Sequence, residues 1–362
     1  MSAPTWSVVL GAGLMGRLLA HALAQEGHRV EVFEAQQADA QGAAARVAAA
    51  MLAPLAESAI TELSVVRMGQ HALQRWPELI AQLGQPVFFQ QNGTLIVWHR
   101  QDAPEARRFA QVLAQTQRDC PSLSEAMPLD QNGVAEHEPG LAERFGQALY
   151  LPGEGQLDNR QLLDALLHSL QQQGVALHWD SPRNPDDFKP GTAGQPDWVF
   201  DCRGLGARAQ WSELRGVRGE VIRLHAPGVQ LARPTRLVHP RYPLYIAPKP
   251  NDVFVIGATE IETEDLSPAS VRSTLELLSA AYTVHPGFGE ARILEVATQA
   301  RPTLADNLPH IRCSGPRSVQ INGLYRHGFL IAPAMLDALM QWLHTGQHPM
   351  ADNWGLRFDT AP

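Results

Sequence analysis

Residues 6–16 are Trp6-Ser-Val-Val-Leu-Gly11-Ala-Gly13-Leu-Met-Gly16, and this short segment sets the architecture of the chain. An apolar run ends in the pattern G-x-G-x-x-G, and the residues that follow carry apolar side chains at helical spacing. The predicted order is therefore strand, tight turn and helix. Gly11 permits the turn, Gly13 lets a pyrophosphate approach the backbone, and Gly16 lets the helix pack against the strand. The helix N-terminus then faces the phosphates.

A second strand, Arg29-Val-Glu-Val-Phe33, ends at Glu34, eighteen positions after Gly16. A carboxylate there can accept both hydroxyls of an adenosine ribose and repels a 2′-phosphate, which disfavours NADP. The pattern thus predicts a dinucleotide site and leaves NAD and FAD as alternatives. Gly-Leu-Met-Gly also occurs in nicotinamide-dependent β-hydroxyacid dehydrogenases and related imine reductases, so that class stays open at this point.

Length and composition limit the class of protein. A chain of 362 residues is long enough for about two domains. Its net charge of −8 offers no basic field for nucleic acid or anionic lipid, and its apolar runs are too short to cross a bilayer. Its three cysteines are too few for a disulfide framework or a zinc knuckle, and histidine pairs at metal spacing are missing. We expect a cytoplasmic protein without a metal, nucleic-acid or membrane partner.

The rest of the sequence predicts two kinds of sheet. A helix that starts after Asp158 is followed by strands at Val175–Trp179 and from Trp198 onward, which indicates a return to a parallel sheet. Further on, short β runs such as Leu244–Pro248 and Val253–Thr259 predict an antiparallel sheet. The predicted fold class is therefore α/β: a Rossmann-like parallel sheet domain with an inserted antiparallel, β-rich domain.

Two local predictions concern turns and helix ends. Short β runs flank Gln91-Asn92-Gly93, a turn sequence that predicts a hairpin. A final helix is predicted from about Pro333 to His344 and ends near Gly346, because proline is favoured at the first helical position and glycine after the last.

Four further segments stand out beside the glycine-rich front: Met51–Glu57, Gly257–Thr259, Arg301-Pro302 and Gly323–Pro333. The front resembles the flavin-dependent D-amino-acid oxidase superfamily, and the four segments resemble its glycine oxidase branch in the same order. The resemblance spans nearly the whole chain and favours FAD over NAD, since nicotinamide dehydrogenases of the Gly-Leu-Met-Gly type have no such closing segment.

The resemblance implies a non-covalent FAD, because no cysteine lies where the sarcosine oxidase branch tethers its flavin. The chain departs from the family at Ala44-Ala-Arg46, where glycine oxidases often have hydroxyl residues that bind the pyrophosphate. Arg46 either replaces them by charge or points to solvent. The implied FAD contacts are Gly11, Gly13, Leu14, Met15, Gly16, Glu34, Ala35, Ala44, Ala45, Ala49, Ala50, Met51, Arg183, Leu324, Tyr325, Arg326, His327, Gly328, Phe329 and Leu330.

The resemblance also implies three substrate-binding residues. Arg301 would hold a carboxylate with its planar fork, Tyr245 would be a phenolic partner to the same carboxylate, and Arg326 would be a second cation at the flavin edge. The alternatives are a core tyrosine at Tyr245 and a structural ion pair at Arg326. Glu260 either borders the amine or faces water. No acid or base is nominated, because a neutral amine that loses hydride to the flavin needs none.

These expectations combine into one proposal about domains. The FAD-binding domain would comprise residues 1–85, 150–215 and 300–362, and the substrate-binding domain residues 86–149 and 216–299. The N-terminus of the final helix, at Ile331-Ala-Pro333, would face the flavin pyrimidine and favour negative charge there.

The expected activity is oxidative deamination of glycine to an imine and its 2-oxo acid, with O2 reduced to H2O2. Sarcosine and small D-amino acids are further candidate substrates, and the resemblance implies supply of the imine to thiamine thiazole synthesis. The alternatives are an FAD-dependent D-amino-acid or N-substituted glycine dehydrogenase with another electron acceptor, a nicotinamide-dependent imine reductase or dehydrogenase, and a flavin-binding protein without catalysis. Relatives commonly form tetramers, so a homo-oligomer is compatible with the sequence.

Overall fold

The structure is a computed structural model that describes residues 4–238 and 244–360. Its α-helices are α1 (Leu14–Gln25), α2 (Ala44–Val47), α3 (Pro54–Glu57), α4 (Leu63–Ala81), α5 (Ala103–Asp119), α6 (Gln131–His137), α7 (Asn159–Gln172), α8 (Val271–Val284), α9 (Gly328–Thr345) and α10 (Pro349–Trp354). Its strands are β1 (Trp6–Leu10), β2 (Arg29–Phe33), β3 (Met51–Leu52), β4 (Phe89–Gln90), β5 (Thr94–Val97), β6 (Met127–Asp130), β7 (Gln147–Leu151), β8 (Gly155–Leu157), β9 (Ala176–His178), β10 (Trp198–Asp201), β11 (Arg215–His225), β12 (Thr235–Leu237), β13 (Leu244–Lys249), β14 (Val253–Gly257), β15 (Arg292–Thr303), β16 (His310–Gly315), β17 (Ser318–Asn322) and β18 (Arg357–Asp359).

The first large sheet, here called the parallel sheet, has the strand order β18-β16-β17-β10-β1-β2-β9. Strands β17, β10, β1, β2 and β9 run parallel, while β16 is antiparallel to β17. Helices α1, α4, α7 and α9 bury their apolar side chains in one cluster with this sheet. The crossover from β1 through α1 to β2 places the glycine-rich turn at the carboxyl end of β1, where such sheets bind nucleotides.

The second large sheet, here called the antiparallel sheet, has the order β15-β11-β14-β13-β12-β5-β7-β6. All of its neighbours pair antiparallel except β12 and β5. One face packs on α8 in a core of its own, which includes Leu277 and Ala281. The predicted fold class, a parallel sheet domain joined to an antiparallel β-rich part, is confirmed.

A third, small sheet consists of β3, β8 and β4, and its pairing shows that the hairpin prediction at Gln91-Asn92-Gly93 was wrong. Strand β4 pairs with β8, whereas β5 pairs with β7 and β12. Gly93, with a φ of +87°, turns the chain from the small sheet into the antiparallel sheet instead of folding it back on itself.

The closing helix α9 begins at Gly328, so the predicted start near Pro333 was also wrong. Pro333 lies inside the helix, where it cannot donate a hydrogen bond to the carbonyl of Phe329. That carbonyl accepts a hydrogen bond of 2.8 Å from the indole Nε1 of buried Trp76 on α4 instead. A side chain from another helix thus satisfies the group that the proline leaves free. The predicted helix end is confirmed at Gly346, which has a φ of +71°.

Within the two described ranges, every helix is either too short or too polar to cross a lipid bilayer.

We expect Trp76→Phe to lower the free energy of unfolding by about 2–4 kcal/mol, because it removes buried volume and leaves the Phe329 carbonyl without a donor. Part of this loss should be recovered by Pro333→Ala in the same chain, since the alanine N–H can donate to that carbonyl. Chemical denaturation of the two single variants and the double variant measures the coupling. Strictly additive losses would contradict this account of the helix.

Candidate active site

The glycine-rich turn has the geometry that a bound pyrophosphate needs. Gly11 has a φ of +91°, and a Cβ there would lie 2.8 Å from the carbonyl oxygen of Cys202. A Cβ at Gly16 would lie 1.9 Å from the Gly11 oxygen. At Gly13, in contrast, the nearest described atom to such a Cβ is the Cβ of Ala43, at 3.8 Å. The turn therefore closes behind Gly11 and Gly16 and stays open at Gly13, where a phosphate can approach the backbone.

Glu34 stands beside this turn, as predicted for a ribose contact. Its Oε2 accepts a hydrogen bond of 2.6 Å from the backbone N–H of Ala12, and its Oε1 accepts one of 3.1 Å from Gln36. The first turn of α1 has no side-chain cap at Gly13. Its free N–H groups and the adjacent carboxylate suit the phosphates and the ribose of a dinucleotide.

The alanine-rich tract, residues 43–51, contains a buried hydrogen-bond donor that has no partner among the described residues. Arg46 lies in the short helix α2, and its Nε is buried without a hydrogen-bond partner in the described part of the chain. The amide nitrogen of Asn159 holds the carbonyls of Ala45 and Arg46, at 2.9 and 2.7 Å. An orphaned guanidinium nitrogen favours the alternative in which Arg46 replaces the missing hydroxyls by charge.

A buried lysine that sequence reasoning missed supports the next part of the tract. The Nζ of Lys249 donates to the carbonyls of Ala49 and Leu157, at 2.9 and 2.7 Å, and to the side chain of Gln156 at 3.1 Å. Burial lowers the pKa of Lys249 to about 7. The three acceptors use all three protons of the ammonium form, and the bond to the Ala49 carbonyl holds this part of the backbone in place. Its only signal in the sequence is a lysine at the end of an apolar strand.

The two ends of the chain meet at this site. A Cβ at Gly328, the first residue of α9, would lie 3.9 Å from a methyl carbon of Leu14, the first residue of α1. The predicted FAD contacts of residues 323–327, here called the closing loop, therefore lie next to those of the glycine-rich turn. Arg183 lies further out: its guanidinium is 5.7 Å from the ring of Phe33, and its carbonyl accepts from Arg203.

Glu57 is the centre of a buried charge cluster that the sequence did not predict. The hydroxyl of Tyr245 donates to Oε1 of Glu57, and the Nε of Arg326 lies 3.2 Å from Oε2. His327 and Arg236 lie 3.5 and 3.7 Å from the same carboxylate. Burial alone would raise the pKa of Glu57, but these neighbours, Arg326 first, lower it to about 2. Its only signal was its place in the segment Met51–Glu57.

Arg326 is neutralised by the protein itself. Its Nη1 lies 2.7 Å from Glu260, its Nη2 donates to the Tyr245 oxygen at 3.0 Å, and its Nε faces Glu57. The Tyr325 hydroxyl donates to Glu260 at 2.6 Å, so Glu260 is exposed to water and at the same time bound to this cluster. Burial alone would lower the pKa of Arg326, but Glu57 holds it above its ordinary value. Burial raises the pKa of Tyr245 to about 12, which keeps the phenol protonated.

His327 is uncharged in this cluster. Burial lowers the pKa of its imidazole to about 4, although Glu57 acts in the opposite direction. At neutral pH the positive charge around Glu57 therefore comes from the arginines.

Arg301 differs from Arg326 because it lacks an anionic partner. Its Nη2 donates to the backbone carbonyl of Thr259 at 3.1 Å, and within the described residues it forms no ion pair. Burial, with a smaller effect from Arg326, lowers the pKa of Arg301 to about 10, so it is still a cation at neutral pH. A half-buried guanidinium without a carboxylate is suited to bind one from a ligand.

The structure thus brings Arg301, Tyr245 and Arg326 into one cluster of side chains, and it places the closing loop next to the glycine-rich turn, beside which Glu34 lies. Their roles as substrate and cofactor contacts remain predictions. In residues 4–238 and 244–360 no group of three or more potential metal ligands occurs.

A nucleotide turn on a parallel sheet, joined to an antiparallel sheet that carries partly or fully buried arginines, is typical of a nucleotide-dependent oxidoreductase. More particularly, the chain belongs to the DAO family of FAD dependent oxidoreductases, whose family model matches residues 7–342. Its cofactor is therefore FAD, and the nicotinamide-dependent alternative is excluded.

The relatives agree with this membership. The chain is 38% identical to the thiamine biosynthesis oxidoreductase ThiO of Rhizobium etli, over 94% of this chain and 97% of that protein. It is 26% identical to the glycine oxidase of Geobacillus kaustophilus, over 90% of this chain and 89% of that protein. The crystal structure of iminodiacetate oxidase from Chelativorans sp. BNC1 matches with a TM-score of 0.81 and 21% identity, over 98% of this chain and 100% of the other, which shows the common fold.

We expect Glu57→Gln to lower the free energy of unfolding at pH 7 by about 3–5 kcal/mol, because it leaves buried arginines without their carboxylate. The pKa of Glu57 is about 2 in the folded state and near 4.5 in the unfolded chain. Its carboxylate therefore stabilises fully above pH 4.5, and this contribution is lost as the pH falls towards 2. The difference between wild type and variant should shrink over that range.

Denaturant unfolding at pH 7, 4.5 and 3 measures this difference. Glu62→Gln, which changes an exposed carboxylate at the start of α4, is the control and should behave like the wild type. Parallel pH profiles for Glu57→Gln and the wild type would argue against an ionised, stabilising Glu57.

Proposed function

We propose that this chain is a glycine oxidase: it oxidises glycine to the imine and reduces O2 to H2O2. Glycine loses a hydride from Cα and a proton from its amine and becomes the imine, and O2 takes up both and becomes H2O2. The observation that carries the proposal is the unpaired Arg301 guanidinium next to the neutral Tyr245 phenol. The sequence relationship to ThiO and glycine oxidase supports the same substrate.

In this proposal Arg301 binds the substrate carboxylate, and Tyr245 becomes a hydrogen-bond partner to it by turning its O–H from Glu57 towards the incoming carboxylate. Arg326, fixed by Glu57 and Glu260, is the second cation of the pocket and orients the Tyr245 hydroxyl. When bound, FAD would supply the hydride acceptor and the redox link to O2. The protein would hold the carboxylate so that the Cα–H bond points towards the hydride acceptor. Because the amine reacts in its neutral form, no protein base is needed.

We propose the predicted domain boundaries and FAD contacts for this chain as well. The open turn at Gly13, the orphaned Nε of Arg46 and the position of Glu34 support them. The observed helix start moves the proposed dipole contact with the flavin from Ile331–Pro333 to Gly328, where the partial positive charge of α9 would stabilise negative charge on the ring.

We further propose a cytoplasmic role in thiamine biosynthesis, for which the name of the Rhizobium etli relative is the support. Release of a reactive imine suits a pathway in which a following enzyme consumes it by addition to its C=N bond.

Arg301→Ala should lower kcat/KM for glycine by about a hundredfold, since the lost charged hydrogen bonds are worth about 3 kcal/mol. Peroxide formation at varied glycine concentrations measures this loss. Arg107→Ala removes an exposed arginine on α5 and is the matched control, with unchanged kinetics expected. Flavin absorbance of both purified variants should equal that of the wild type; an unchanged kcat/KM for Arg301→Ala would eliminate the proposed clamp.

The choice of electron acceptor is a separate prediction. We expect one H2O2 for each glycine consumed in air, and anaerobic glycine should bleach the bound flavin. Turnover with an artificial acceptor but without peroxide would instead identify a dehydrogenase. Comparing glycine, sarcosine and small D-amino acids in both assays defines the substrate range.

A further inference from the structure

The Arg301 guanidinium packs against the backbone of Gly219. Gly219 is buried on β11, where its register partner on β15 is Gln299, and Arg301 is paired with Val217. A Cβ at Gly219 would lie 2.2 Å from Nη2, 2.3 Å from Cζ and 2.7 Å from Nη1 of Arg301. All three nearest atoms belong to this one guanidinium. The space that glycine leaves free on β11 is thus filled by the arginine head group of the neighbouring strand.

The next residue of β11 fixes the acceptor that holds this head group. The backbone N–H of Glu220 donates to Oγ1 of Thr259 at 2.9 Å, and the N–H of Thr259 donates to the Glu220 carbonyl at 3.3 Å. The Glu220 carboxylate is itself paired with buried Arg218, at 2.7 Å. Thr259 is therefore held on two sides, and its carbonyl accepts from Nη2 of Arg301 at 3.1 Å. Room at Gly219 and a fixed carbonyl at Thr259 together define one position for the guanidinium.

We propose that Gly219 is a positioning residue for the carboxylate clamp: it admits the Arg301 guanidinium against β11, in reach of the Thr259 carbonyl. This inference rests on the proposed function, in which Arg301 binds the substrate carboxylate. The three atoms nearest to an added methyl group belong to the far end of a flexible side chain, so the protein can fold around it by moving Arg301 away. The consequence is a displaced clamp in an otherwise intact fold.

The test is Gly219→Ala in the FAD-loaded enzyme, with acetate as the probe. Acetate carries a carboxylate without an amine, and its binding is followed by the visible absorbance of the flavin. We expect its Kd, and the KM for glycine, to rise about tenfold, the loss expected for one charged hydrogen bond. Gly216→Ala adds a methyl group to the other face of the same strand, against Glu264, Leu205 and Ala300, and should leave both constants unchanged.

A double variant separates the clamp from general damage to the strand. In an Arg301→Ala background the clash is absent, so Gly219→Ala should change neither acetate binding nor the unfolding midpoint any further. This comparison also applies if Gly219→Ala alone folds poorly, because the double variant should then regain the stability of Arg301→Ala.

Three results would overturn the inference: wild-type acetate binding in Gly219→Ala, an equal loss in Gly216→Ala, or an undiminished effect of Gly219→Ala without Arg301. If instead the wild type neither binds acetate nor oxidises glycine, the proposed function itself is wrong, whatever the variants at Gly219 show.

Discussion

The buried carboxylate of Glu57 joins the side chains of the proposed substrate pocket. It comes from α3, and its partners come from β12, from β13 and from the closing loop. The Tyr245 hydroxyl reaches it from 188 residues away along the chain. A buried carboxylate is stable only when its charge is compensated by cations and hydrogen bonds, so the parallel and antiparallel sheets must meet correctly before this cluster can form. The pocket is therefore a consequence of the sheets docking, and its charges in turn hold them together.

Within this cluster two arginines of equal charge have opposite surroundings. Arg326 faces two protein carboxylates, whereas Arg301 has a backbone carbonyl as its acceptor. Burial makes the charge of Arg301 costly, and the positive charge of Arg326 adds to this cost, as the lowered pKa of Arg301 shows. A ligand carboxylate relieves that cost at Arg301 alone, because Arg326 is already paired. Under the proposed function, this asymmetry would direct an amino acid to one orientation, with its carboxylate at Arg301.

The parts of the molecule that sequence reasoning predicted are those encoded locally. The turn around Gly11, Gly13 and Gly16 and the position of Glu34 follow from a short segment in which spacing fixes geometry. The start of α9 could not be deduced in this way, because the hydrogen bond that accommodates Pro333 comes from Trp76, and its donor and acceptor lie 253 residues apart. Glu57 and Lys249 were missed for the same reason: each is an ordinary charged residue until tertiary packing supplies its partners.

Glycine shows the same limit within one residue type. At Gly16 the obstacle to a side chain is the carbonyl of Gly11, five residues earlier in the same motif, so the requirement can be deduced from the sequence. At Gly219 the obstacle is a guanidinium on a neighbouring strand, and nothing local distinguishes this glycine from a weak position in a strand. Its physical meaning depends on register: β11 and β15 pair so that Arg301 lies diagonally across from it. A shift of one residue in that pairing would turn the arginine to the other face of the sheet, so the strand register and the carboxylate clamp are a single constraint.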